Sequence, residues 1–168
     1  MEFNETNKFK KGTIGEEIIS ELLQLKGWDV YRPNNNNKPH LIDIIAIKNN
    51  TTIAVDVKTK ARFNKFNAQG INFNHYEKYK EYMIENNHNV YVFFIDDKIG
   101  DIYLLDLKNE PKGIVFKEKN YPFTLIKRWN LDDLIFVKNI NSKETINNLS
   151  NYDERNYDFT PQMVFKFN

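Results

Sequence analysis

The sequence predicts an α/β domain with a mixed central β-sheet flanked by helices. Three observations carry that expectation. Apolar residues recur at helical spacing through residues 14–25, as Ile14, Ile18, Ile19, Leu22, Leu23 and Leu25. Two runs rich in Ile and Val, residues 41–48 and 52–59, flank the dipeptide Asn49-Asn50. A second helical pattern starts near Asn74 and leads into the apolar run 90–95. Helix, strands, helix and strand in that order pack as helices on a sheet.

The first helix opens with Thr13 as a candidate N-cap, and Glu16 follows at capping-box spacing. It runs to Lys26, where Gly27 suits the left-handed position after a helix end. On a helical wheel Glu16 falls beside Leu23 and near Ile19, at one margin of the apolar stripe. Glu17 falls on the other margin, next to Glu21. Residues 28–32 read as a short strand, and 33–39, with four consecutive Asn, as a loop. His40 precedes the hairpin and reads first as an ordinary loop residue.

Asn tolerates the positive φ that a two-residue hairpin turn requires, so Asn49-Asn50 sets a register. Lys48 then faces Thr51, and Asp43 lies opposite Asp56. Opposed residues share a face with Cβ atoms roughly 5 Å apart. Strand period two adds Lys58 to the face of Asp56. Two carboxylates so placed repel each other, unless a hard divalent cation such as Mg²⁺ sits between them with water and phosphate oxygens completing its shell.

Downstream, residues 61–73 read as a loop with a short extended segment. A helix follows from Asn74 to about Asn87, its Tyr76, Tyr79 and Met83 stripe facing the core. The segment Asp96-Asp97-Lys98-Ile99-Gly100 reads as a turn between strands 90–95 and 101–107. Residues 111–119 and 123–127 are further candidate strands, and 129–134 a short helical turn capped by Asn130. Residues 1–140 form the expected domain. Residues 141–168 form a polar, Asn-rich extension packed on or beside it, whose apolar segment 163–167 either adds a strand or meets a partner.

The chain of 168 residues is 40% hydrophobic and 14% aromatic, which argues for a folded chain of one domain. The absence of cysteine excludes disulfides and thiolate metal sites. No apolar run has the length of a membrane span, and the first twelve residues have no signal-peptide character, so a cytoplasmic protein is expected. A net charge of +1 makes no global case for nucleic acid. Local clusters do: Lys8, Lys10 and Lys11 precede the first helix, and Lys60, Arg62 and Lys65 follow the second hairpin strand, with Gln69 a weaker candidate. These are the expected DNA contacts; a solvated basic loop is the plainer alternative.

Asp43, twelve residues, then Asp56-Val57-Lys58 resembles the D…(D/E)-x-K signature of the PD-(D/E)XK (restriction-endonuclease-like) nuclease superfamily. Lys11-Gly12-Thr13-Ile14-Gly15-Glu16 is similar to the start of the first helix in archaeal-type Holliday junction resolvases. The likeness covers roughly residues 8–95 and departs at Ile42, where the superfamily has Pro. It implies a restriction-endonuclease-like core, αβββαβ, and Mg²⁺-dependent cleavage of DNA, with Mn²⁺ a substitute. It assigns Asp43, Asp56, the Val57 carbonyl and Glu16 to the metal and Lys58 to the attacking water or the developing charge. It also implies DNA as partner and a homodimer that cuts two strands of a symmetric substrate. Restriction, repair and mobile-element nucleases share this core, and a non-catalytic DNA-binding module on the same scaffold stays open.

Overall fold

In the computed structural model, residues 7–33, 40–63, 65–117, 124–141 and 145 are described. Helix α1 (Asn7–Leu25) leads into β1 (Asp29–Tyr31) and the hairpin β2 (Ile44–Lys48) and β3 (Thr51–Thr59). Then come β4 (Ala68–Asn72), α2 (Phe73–Asn86), β5 (Asn89–Ile95) and β6 (Asp101–Asp106). The remaining described elements are β7 (Ile114–Lys117), β8 (Leu125–Asn130), a 3-10 turn (Leu131–Asp133) and β9 (Ile135–Asn139).

Six strands form the central sheet in the order β1-β2-β3-β5-β6-β9. The β3–β5 pair is parallel and the others are antiparallel, so the sheet is mixed. A second, three-stranded sheet has the order β4-β8-β7. The central sheet buries both faces. On one, Ile14, Ile18, Ile19, Leu22 and Leu23 of α1 pack on Ile44, Ala46, Ile53, Val55 and Val57. On the other, Tyr79 of α2 packs with Ala54, Val92 and Phe94 and with Ile71 and Trp129 of the second sheet. The expected stripe of α2 lies here: Tyr79 is fully buried, and Tyr76 and Met83 are partly so.

Local chemistry explains the element ends. Asn49 and Asn50 both have positive φ, 48° and 61°, which is the primed turn a two-residue hairpin needs. After α1, Gly27 at φ 79° lets its own N–H reach Gln24 O and the Trp28 N–H reach Leu23 O, a Schellman closure. α1 starts at Asn7 rather than after Thr13. The Lys11 ammonium pairs with Asp97, and both residues are buried, so tertiary packing holds a turn that the Thr13 cap signal would have excluded. For α2 the cap is Asn72 and not Asn74: its side chain accepts from the Asn74 N–H at 2.9 Å. Trp129 belongs to β8 rather than to the short helix, Asn130 ends β8 and stands at the N-cap of the 3-10 turn as expected, and β9 was not expected at all. Of the strand expected over 123–127, residue 123 lies outside the described residues, as do 34–39 of the Asn-rich loop and nearly all of the extension after residue 141.

α1 meets the sheet most closely at Gly15. A Cβ there would overlap Thr59 Oγ1 and stand 3.2 Å from Thr59 Cβ and 3.3 Å from Val57 Cγ1. Gly15→Ala is therefore expected to push α1 off β3, costing about 1–3 kcal/mol of stability. Chemical denaturation checks this; a variant as stable as the parent would contradict the close fit.

Candidate active site

The hairpin ladder pairs Ile44 with Val55 and ends there, in the register expected from the turn. Asp43 is thus the first residue beyond the ladder, opposite Asp56. Its N–H still donates to Val55 O at 3.0 Å, while its carboxylate takes the place of the missing strand: Val57 N–H donates to Asp43 Oδ2 at 2.7 Å. The N–H and C=O of one strand residue lie on the same strand edge. The Val57 carbonyl therefore also faces the side where β2 has ended.

Asp56 is 2% exposed on the α2 face of β3. Lys58 Nζ donates to Asp56 Oδ1 at 2.8 Å and stands 2.7 Å from Oδ2. The second approach is an ion contact without hydrogen-bond alignment. Oδ2 is enclosed with no hydrogen-bond partner. The buried Tyr79 phenol lies beside this carboxylate and is pushed far above the ordinary tyrosine value, by burial first and then by Asp56. Burial and the charge of Asp56 together push the Asp43 carboxyl up to about 8, against the pull of Lys58 and the Val57 N–H. Burial works against the Lys58 ammonium, but Asp56, then Asp43 and Glu16, outweigh it and hold it above the usual lysine value. Once Asp43 is ionised, two carboxylates and one ammonium are one positive charge short of balance.

Glu16 stands within electrostatic reach of Asp43 and Lys58, and its Oε2 accepts from Arg32 Nη2 at 2.7 Å. Glu17 lies 3.9 Å from Arg32 Nη1, and its carboxyl is raised chiefly by burial. Among the described residues, no group of three or more His, Asp or Glu side chains converges closely enough to hold a metal ion. What the site presents is a pair of buried carboxylates, with Asp56 Oδ2 in ion contact with Lys58 but lacking an aligned hydrogen-bond donor. That suits Mg²⁺, which keeps several waters and binds through one or two carboxylates plus substrate oxygens.

A cleft of about 260 Å³ opens on the α2 face, lined by His40, Leu41, Asp56, Lys58, His75, Lys78 and Tyr79. Asp43 is not part of that lining and borders Val57 on the strand edge. His75 and Lys78 did not emerge from the sequence, although His75, Lys78 and Tyr79 share one helix face at spacings of three and four. Burial, then Lys58 and Lys78, lower the His75 pKa against the pull of Asp56.

The residues expected to touch DNA are mostly engaged inside the fold. Lys11 is the buried partner of Asp97. Arg62 donates to Asp96 at 2.6 Å, to Asn67 at 2.9 Å and to Asp101 at 3.2 Å. Gln69 is buried and donates to Lys60 O at 3.1 Å, and Lys60 Nζ donates to Gly70 O. Among Lys11, Lys60, Arg62, Lys65 and Gln69, Lys65 alone is exposed. The basic cluster after β3 thus ties the β3–β4 connection to the β5–β6 turn instead of forming a free basic surface. The buried Asp96 receives Arg62, and the buried Asp97 receives Lys11 from α1.

No family model matches the chain. Among curated proteins, a UPF0102 protein of Caldanaerobacter subterraneus subsp. tengcongensis is 36% identical over 58 residues, 34% of this chain and 48% of that protein. The chain therefore spans about half the length of the curated relative it matches. Among solved structures, Hjc of Archaeoglobus fulgidus, a Holliday junction resolvase from an archaeal hyperthermophile, matches with a TM-score of 0.53 at 14% identity, over 75% of this chain and 91% of that one. The chain has the mixed α/β fold of Hjc. Asp43, Asp56 and Lys58, the residues of the sequence motif, meet where the β2–β3 ladder ends. Ile42, in place of the motif proline, is 6% exposed and belongs to the α2-side core. No helix among the described residues is long and apolar enough to cross a membrane.

Proposed function

We propose that this protein is a divalent-metal-dependent endonuclease that hydrolyses DNA phosphodiester bonds. The observation that carries this reading is the meeting of Asp43, Asp56 and Lys58 at the end of the β2–β3 ladder, where ionising Asp43 creates an excess negative charge that a cation would balance. Asp43 and Asp56 would hold Mg²⁺ or Mn²⁺, with the Val57 carbonyl as a further ligand. Bound there, the ion would supply charge relief on the phosphate and a more acidic water.

The chain's own residues do the rest. Asp43 fixes the end of β3 through the Val57 N–H and keeps that carbonyl edge open. The Lys58 ammonium, held by Asp56, orients the attacking water or meets the charge that develops on the phosphate. Glu16, steered by Arg32, completes the acidic shell through water rather than by direct approach. Hjc is a Holliday junction resolvase, and symmetric cuts in such a substrate require two sites; we extend both to this chain as junction cleavage by a homodimer.

One observation favours a second reading, a DNA-binding module without activity: Glu16 is engaged by Arg32 instead of joining the other acids. A cleavage panel separates the two. Four-way junction, linear duplex, supercoiled plasmid, single-stranded DNA and RNA are incubated with Mg²⁺ or Mn²⁺, using Asp56→Asn protein as control. Symmetric junction cuts by the parent alone support the resolvase reading. Discrete duplex cuts move the protein to the restriction class. No cleavage of any substrate by folded protein leaves the binding module.

A further inference from the structure

The cleft has two walls. β3 supplies Asp56 and Lys58; the first turns of α2 supply His75 and Lys78. Most basic side chains elsewhere in the described residues are consumed within the fold. Lys11 pairs with Asp97, Arg32 with Glu16, Arg62 with Asp96 and Asp101, and Lys80 and Lys127 with Glu110. His75 and Lys78 are different. Both are exposed on the helix, and among the described residues neither forms a hydrogen bond or ion pair. The His75 ring meets only the Tyr79 ring, at 6.4 Å between centroids. An ammonium and an imidazole N–H are thus left as donors at a cleft whose lining acid, Asp56, is already engaged by Lys58.

The cleft of about 260 Å³ has room for a phosphate group. The non-bridging oxygens of a phosphodiester accept hydrogen bonds and repel carboxylates. A phosphate approaching Asp56 needs donors on the opposite side, and α2 provides them at helical spacing.

We propose that His75 and Lys78 form the substrate wall of this site and bind a nucleic-acid phosphate across the cleft from Asp56 and Lys58. This rests on the nuclease reading of the site and adds the residues that hold its substrate. They are positioning residues: they bring the backbone to the acids and Lys58, and the metal ligands do not depend on them.

The test measures binding of a fluorescent DNA duplex and a four-way junction to the full chain by anisotropy, with Ca²⁺ in place of Mg²⁺ to keep the DNA intact. His75→Ala/Lys78→Ala is expected to weaken binding about tenfold or more. Lys78→Ala alone should lower the slope of log Kd against log salt by about one, and Lys78→Arg should restore it. Mn²⁺ binding should not change in any of these variants, and Lys108→Ala, an exposed lysine away from the cleft, should bind DNA like the parent. In cleavage assays the double variant should raise KM more than it lowers kcat. Failure of the nuclease reading would appear as DNA that is bound, released by the double variant, and never cut. Failure of this inference would appear as a folded double variant that binds DNA within about twofold of the parent, or a parent that binds no DNA.

Discussion

Replacing Asp43 by Asn is expected to abolish cleavage and, at the same time, to raise the melting temperature of the metal-free protein. The two effects have one cause. Burial and the charge of Asp56 make an ionised Asp43 costly, and its carboxyl is pushed up to about 8. The unfolded chain returns it to about 3.9. Between those values the native state holds a proton that the unfolded state has released, so stability falls as pH rises from about 4 to about 8. Asn removes that penalty and retains an oxygen for the Val57 N–H. The gain over the parent should be small near pH 4 and complete above pH 8. There it should amount to a few kcal/mol, or roughly 5 °C or more in Tm for a chain of this size. Thermal melts in EDTA at acidic, neutral and alkaline pH read this directly. A variant that melts below the parent at alkaline pH would contradict the electrostatic account of the site.

Lys58→Ala is expected to lose cleavage as completely, with the opposite effect on stability. Asp56 is 2% exposed, and Lys58 donates to its Oδ1 at 2.8 Å. Removing the ammonium leaves a buried carboxylate beside a second acid. Breaking a buried pair in this way costs about 3–5 kcal/mol, and the partial exposure of the Lys58 side chain places the loss near the lower figure. Single-turnover rates should fall at least about a thousandfold, the scale of losing one group that stabilises developing charge. Divalent cation should recover part of the lost stability, since it supplies the missing positive charge, but not the rate. A Lys58→Ala protein that keeps parental activity would remove Lys58 from the chemistry.

The site was legible in the sequence where its geometry is local. Asn49-Asn50 can adopt positive φ at both positions, so one dipeptide set the register that opposes Asp43 and Asp56. Gly27 marked the end of α1 for a similar reason. Contacts made by topology were not legible. Arg62 looks like a free base beside the site until β5 and β6 bring Asp96 and Asp101 to it. Arg32 reaches Glu16 only because β1 lies along α1, and Lys11 reaches Asp97 across the turn after β5. Charge clustering along the chain suggested DNA contacts, and charge pairing in space consumed most of them. His75 and Lys78 were overlooked for the converse reason: nothing local marks them until α2 is packed over β3. The edge strand β9 was missed because Ile135 and Phe136 are exposed in spite of their apolar character, and its alternation does not announce a buried face.

Stoichiometric Mn²⁺ binding, measured by titration calorimetry at mildly alkaline pH, tests the central claim most directly. The parent is expected to bind Mn²⁺ and to release a proton as Asp43 ionises, while Asp43→Asn/Asp56→Asn binds none. A parent that binds no Mn²⁺, or a double variant that binds it as the parent does, would contradict the assignment of this carboxylate pair to a metal.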